Sequence, residues 1–139
     1  MAAGYSRRTL AEKLGIKPGM RVIAVGAPPG YAALLAPLPA DATLVARLGR
    51  DARLIHAFFE QRAALDAGLP RLAAALARDG ALWISWPKRS AASGSPRESD
   101  LTENVVRAAG LALGLVDVKV CAVDERWSGL KFVRRLRDR

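Results

Sequence analysis

The stretch LPRLAAALARDGALWISWPK, residues 69–88, decides the fold. It reads as a helix, a tight turn and a buried strand. Pro70 suits the first helical position, where a missing N–H has no helical partner to lose. Leu69, Leu72, Ala73 and Leu76 recur at helical spacing. Gly80 can take the left-handed conformation that ends a helix. Ala81 to Trp86 is then a short apolar run, and Pro87 cannot continue a central strand. Lys88 and Arg89 follow at the strand's carboxyl end, the edge at which open α/β sheets hold their ligands. One stretch thus predicts an α/β architecture and a candidate site.

Upstream, Thr9 to Leu14 predicts a short helix closed by Gly15, and Lys17-Pro18-Gly19 a turn. Arg21 to Val25 is a buried strand. A loop over residues 26–30 leads into a short helix from Tyr31 to Ala36, stopped by Pro37 and Pro39. Thr43 to Leu48 and Arg53 to Phe59 are strands with only residues 49–52 between them. A parallel neighbour needs a crossover of about a dozen residues. Either the pair is antiparallel, or one strand is very short and the chain between them descends in extended form. Gln61 to Asp66 is helical and pauses at Gly68.

Downstream, residues 90–99 are rich in Ser, Gly and Pro and read as a mobile loop. Asp100 or Thr102 caps a helix running to about Leu113, where Gly114 ends it. Val116 to Asp124 alternates as a strand. Trp127-Ser128-Gly129 is a turn, and Leu130 to Val133 returns as the partner strand of a hairpin.

A chain of 139 residues that is 51% hydrophobic suffices for one packed domain. Residues 1–4 and 134–139 are expected to be disordered. No apolar run reaches the roughly 18 residues that span a bilayer, and none follows Arg7 and Arg8 as a signal peptide requires. Cys121 is the single cysteine, so no intrachain disulfide and no cysteine-based zinc site is available. These features predict a cytoplasmic protein without a membrane partner. The net charge of +9 favours an anionic ligand or nucleic acid. Part of it lies in a terminal run, Arg134, Arg135, Arg137 and Arg139, of the kind that is usually only solvated. The excess of arginine over lysine and the abundant alanine resemble the codon bias of a GC-rich bacterial genome.

Residues 14–26, LGIKPGMRVIAVG, resemble the entry strand and glycine loop of class I S-adenosylmethionine-dependent methyltransferases. Residues 76–84, LARDGALWI, resemble a late helix–turn–strand of that fold, and residues 116–133 its closing antiparallel hairpin. Tyr5-Ser6, GIKPG at 15–19, WISWPK at 83–88 and GLVDVKVCAVDERWSGLKF at 114–132 are similar to an uncharacterised bacterial family of unknown function. The first resemblance implies a Rossmann-like, mostly parallel sheet flanked by helices and ending in an antiparallel hairpin. It also implies that one β–α unit is missing between the second and third strands.

The cofactor chemistry departs from that family. The first strand ends Ala24-Val25-Gly26 without an acid, and Pro28 and Pro29 remove two N–H donors from the loop that should cradle the cofactor. The second strand ends Arg47-Leu48-Gly49-Arg50, leaving Asp51 as the nearest carboxylate for ribose hydroxyls.

Candidate ligand-binding residues are Gly26, Gly30, Tyr31, Ser85, Trp86, Lys88 and Arg89, with Lys88 and Arg89 as an anion site. No residue is assigned as catalytic. His56, inside an apolar strand, reads first as a satisfied core histidine, and a lone histidine makes no metal site. His56 and Glu60 are the bases that an enzyme would have to use. Cys121 reads as inert packing. Trp127 is either packed on the sheet or exposed for a partner. The leading expectation is a non-catalytic binding or regulatory module without cofactor on a degenerate methyltransferase-like scaffold. The alternatives are a small S-adenosylmethionine-dependent transferase or nucleotide-binding enzyme, and a basic protein associated with nucleic acid. Oligomerisation is left open.

Overall fold

The computed structural model describes residues 8–88 and 99–139. Arg89, residues 1–4 and all of the expected 90–99 loop except Ser99 therefore lie outside the described residues. Six strands form one mixed sheet in the order β2-β1-β3-β4-β6-β5. They are β1 (Arg21–Val25), β2 (Thr43–Val45), β3 (Ala52–Phe58), β4 (Leu76–Pro87), β5 (Leu115–Ala122) and β6 (Trp127–Arg134). The first four run parallel, and β6 and β5 close the sheet as an antiparallel hairpin. The helices are α1 (Leu10–Leu14), α2 (Tyr31–Leu35), α3 (Arg62–Ala75) and α4 (Glu103–Ala112). The expected fold class is the observed one.

The two-residue period of the central strands explains the layering. Ile55 and Ala57 of β3, with Leu82, Ile84 and Trp86 of β4, face Leu65, Leu69 and Leu72 of α3 and Val106 of α4. Leu54 and Phe58, with Trp83, face the other way, onto Ala11 and Leu14 of α1 and Tyr31 and Leu35 of α2. Both faces are covered, so β3 and β4 are almost continuously apolar. Each fully buried leucine or isoleucine here contributes about 1.5–3 kcal/mol.

The direction of β2 is settled as parallel, and its neighbour is β1 rather than β3. The strand has three residues, shorter than Thr43 to Leu48, and no helix or strand intervenes before β3. Residues 46–49 form no regular element, and the chain bends at residues 50–51, with Asp51 at φ +50, before β3 begins at the opposite edge of the sheet. That route is open because no β–α unit separates these strands.

The organising stretch differs from its sequence reading in two ways. Residues 62–75 form one helix, so Pro70 lies inside it rather than at its start. Buried Leu65, Leu69 and Leu72 hold the helix to the sheet on both sides of the proline, and this packing outweighs the lost backbone bond. Gly80 does not end the helix; it lies within β4, which begins at Leu76. The β3–β4 register jumps from Ala52↔Leu76 to Leu54↔Ala81, so residues 77–80 bulge. A Cβ on Gly80 would stand 2.6 Å from the Ala52 carbonyl oxygen, so glycine is needed there for close backbone approach.

The helix ends also find partners far along the chain. The Asp100 carboxylate accepts from the Arg62 N–H at the start of α3 (2.6 Å), while Thr102 caps α4. Arg134 falls in the stretch whose sequence predicts a disordered tail. It closes β6 instead, and its guanidinium donates to the Ala73 and Leu76 carbonyls at the end of α3 (2.8 and 2.6 Å). Leu136–Asp138 form a 3-10 turn. The hairpin turn is 123–126, and Trp127 begins β6, because the Asp124 carboxylate accepts from the N–H groups of Arg126 and Trp127.

Gly110 of α4 lies flat against the Phe132 ring of β6, where an added Cβ would overlap the ring. Gly110→Ala is expected to destabilise the fold by about 1–3 kcal/mol despite alanine's better helix propensity. Urea unfolding checks this, and a stabilised variant would contradict the packing.

Candidate functional site

The carboxyl ends of β1 and β3 and the turn before β6 meet at one edge of the sheet. Because β6 runs antiparallel to β4 and pairs Trp127 with Pro87, the 123–126 turn must lie at the carboxyl end of β4. Two clefts flank the 26–30 loop at this edge. One, of about 520 Å³, is lined by Gly26 to Pro29, Phe58 to Gln61, Ala64, Arg126 and Trp127. The other, of about 510 Å³, is lined by Ala24, Gly26 to Pro28, Gly30 to Ala32 and Leu44 to Ala46.

Beneath the loop runs a buried polar chain. The Tyr31 hydroxyl is 2.6 Å from His56 Nδ1, and His56 Nε2 is 2.7 Å from Ser85 Oγ. His56 and Ser85 are wholly buried. His56 and Ser85 share one face of neighbouring strands, and Tyr31 opens α2 directly above them. One ring nitrogen carries the proton and donates, and the other accepts. Burial pushes the imidazole down to about 3 and the Tyr31 phenol up from its ordinary value. The ring is therefore neutral at pH 7. Phe58 stacks on it at 4.2 Å between centroids, and Trp127 meets Phe58 edge-on at 5.0 Å.

The proposed site residues separate into groups. Gly26 lines both clefts, and Gly30 and Tyr31 line the second. Gly26 has φ +68, and a Cβ would stand 3.0 Å from the Phe58 carbonyl oxygen, so the turn itself demands glycine. Ser85 lies inside the fold on His56, and Trp86 is buried in the α3/α4 layer. Lys88 lines neither cleft. Its Nζ donates to the Asp124 carbonyl (2.7 Å) and its N–H to that of Arg126 (2.7 Å), which staples the hairpin turn to the end of β4. Arg89, the other half of the expected anion site, lies outside the described residues. Asp51 immediately precedes β3 and so lies at the opposite edge of the sheet from the clefts.

His56 has no solvent path and no free ring nitrogen, which suits the core-histidine reading. Glu60 does line the first cleft, 3.8 Å from the Arg126 guanidinium. Arg126 in turn lies over the Trp127 ring, 5.7 Å from its centroid. Sequence reasoning missed Arg126 as a cleft residue. The signal was the hairpin itself: with the turn placed at 123–126, its side chains fall at the ligand edge. Among the described residues no group of His, Cys, Asp and Glu side chains comes together to hold a metal ion, and no helix is long and apolar enough to cross a membrane.

The fold is that of S-adenosylmethionine-dependent methyltransferases. A SAM-dependent methyltransferase from Aquifex aeolicus superposes with a TM-score of 0.64 at 14% identity, covering 88% of this chain and 86% of that one. The ribosomal protein L11 methylase from Lactobacillus delbrueckii subsp. bulgaricus gives 0.57 at 17% identity over 91% and 75%. Magnesium protoporphyrin IX methyltransferase from Synechocystis PCC 6803, with bound SAH, gives 0.58 at 15% over 91% and 78%. At such identities the likeness is one of fold. No protein-family model matches the chain, and no curated protein matches it in sequence.

The buried imidazole makes stability depend on pH. Between its unfolded value near 6.5 and its folded value near 3, the unfolded chain binds a proton that the folded chain does not. Stability is therefore expected to fall as pH falls through that window, by up to about 1.4 kcal/mol per pH unit. Urea midpoints between about pH 6.5 and 5, mostly above the carboxylate range, test this. His56→Gln should remove the slope, and a flat wild-type profile would contradict a buried neutral ring.

Proposed function

We propose that this chain is a binding or regulatory module that keeps the methyltransferase scaffold without the cofactor chemistry. The observation that carries the reading is the lining of the cleft beside Tyr31. It offers hydrocarbon and backbone along the ends of β1 and β2, and its one hydroxyl, that of Tyr31, bonds His56. A nucleoside held there would need an acid for its ribose hydroxyls and loop N–H groups for its polar end. No carboxylate lines this cleft, and Pro28 and Pro29 supply no N–H. The residues present do not fit S-adenosylmethionine in that seat.

The neighbouring cleft has a different chemistry. Phe58, Phe59 and Trp127 give it an aromatic wall, and Glu60 and Arg126 place opposite charges at its mouth. It suits a small ligand with a flat apolar body and a charged or zwitterionic end.

The same pair of charges favours a second reading, a small transferase. Glu60 and Arg126 could meet the ammonium and carboxylate of an amino-acid moiety, and a structural neighbour holds SAH. In that case Glu60, not His56, is the available base.

Calorimetry and thermal melting with S-adenosylmethionine and S-adenosylhomocysteine separate the two. A ligand at about 100 times its dissociation constant stabilises by about 2.7 kcal/mol. No shift with either compound at millimolar concentration is expected. A saturable shift that Arg126→Ala abolishes would overturn the reading of a scaffold without cofactor chemistry and favour the transferase.

A further inference from the structure

The antiparallel end of the sheet carries a pair of lysines that line neither cleft. Lys119 and Lys131 stand directly opposite each other across β5 and β6. Like charges in that position repel, and sheets ordinarily avoid them. Lys131 is also the register partner of Trp83 on β4, so it shares the α1/α2 face of the sheet. The Trp83 indole N–H donates to the Leu14 carbonyl (3.0 Å), which draws the end of α1 onto the same face. Lys13 and Lys17 flank that anchor point.

Lys119 and Lys17 lie close enough to Lys131 to act on its amine, and Lys13 and Lys119 close enough to Cys121 to act on its thiol. The Lys131 amine is held below its ordinary value by burial first, then by Lys119 and Lys17. Burial raises the Cys121 thiol, while Lys13 and Lys119 oppose that rise. None of the ion pairs among the described residues involves these lysines. The one acid of α1, Glu12, is engaged with the Thr9 N–H at the helix cap. Half-buried Val116 and Val133 pair with each other on this face next to the lysines.

We propose that Lys13, Lys17, Lys119 and Lys131 form a docking face for the phosphate backbone of a nucleic-acid duplex. Charge complementarity identifies the occupant. A net charge of +9 draws polyanions from a distance, and a row of phosphates relieves the repulsion that the cross-strand pair builds in. Lysines act as point charges on phosphate and do not read bases, so binding is independent of sequence. No aromatic ring is among these residues, so the base stacking used by single-strand binders is not offered. The duplex backbone is the form that fits.

The test is fluorescence anisotropy with a labelled DNA duplex of about 20 base pairs, titrated from about 50 to 200 mM salt. Each lysine–phosphate contact contributes about 0.9 to the slope of log affinity against log salt, so a slope near −3 to −4 is expected. Lys17 and Lys119 are exposed, and Lys17→Ala/Lys119→Ala should keep the fold, checked by circular dichroism. That variant should bind about tenfold more weakly or worse and reduce the slope by about 2. The charge-preserving Lys17→Arg/Lys119→Arg variant should bind like the parent. Arg135→Ala/Arg137→Ala, which removes equal charge from the terminal run, should leave the slope in place. The proposal is overturned if the parent fails to bind the duplex or if the alanine variant keeps the parental slope. It is also overturned if the terminal arginines carry the slope, or if polyglutamate or a single strand binds as tightly as the duplex.

Discussion

A neutral imidazole in the middle of a buried strand constrains this molecule more than any other group. His56 sits on β3 with sheet neighbours on both sides and a helix above. Both ring nitrogens must find partners there, because an orphaned buried polar atom costs about 1–3 kcal/mol. One partner is Ser85 on the adjacent strand, and the other is Tyr31 at the first position of α2. Meeting that need fixes α2 over β3 and β4, and so fixes where the 26–30 loop can run. Gly129 on β6 contributes by leaving room: a Cβ there would sit 3.4 Å from Ser85 Oγ. Phe58 stacks on the ring, and Trp127 packs on Phe58. A chain of contacts thus runs from the buried histidine to the wall of a cleft.

The edge of the sheet that carries the clefts belongs to a fold shared with the structural neighbours. Glycines still open the turn after β1, yet Gly26 is required by the nearby Phe58 carbonyl whether or not a ligand is present. The prolines that follow stiffen the loop and silence its donors. Charge enters the site from elsewhere, through Glu60 just past β3 and Arg126 in the closing hairpin. An exposed pair of this kind contributes about 0–1 kcal/mol to stability, so it is not what holds the turn and the strand end together. Fold likeness and site chemistry are separate questions here.

Much of the architecture was legible in the sequence. β1 was read with its observed ends, and the existence of β3, β4, α4 and the closing hairpin followed from apolar periodicity and turn residues. The misreadings have a common origin. Local propensity makes Pro70 and Gly80 punctuation. Tertiary packing overrode both: leucines on one helix face carried α3 through the proline, and a backbone carbonyl pressed against Gly80 inside a bulged strand. Lys88 was placed at the correct sheet edge, but its ammonium group turns to the hairpin carbonyl. The sequence leaves Trp127 two fates, and its edge-on contact with Phe58 decides for packing on the sheet. Arg134 was read as solvated because nothing in its neighbours reveals the two α3 carbonyls it reaches.

What the sequence determined by itself is local and periodic: which segments are strands or helices, which are apolar on both faces, and where glycine and proline interrupt them. Those features depend on residues a few positions apart, so a linear reading finds them. The tertiary structure alone decided the direction and neighbour of β2, the partners of His56, the meeting of Glu60 with Arg126 and the gathering of lysines on the antiparallel end. Each of these joins residues distant in the chain. They are set by strand order and register, which place side chains together only once the whole sheet has formed.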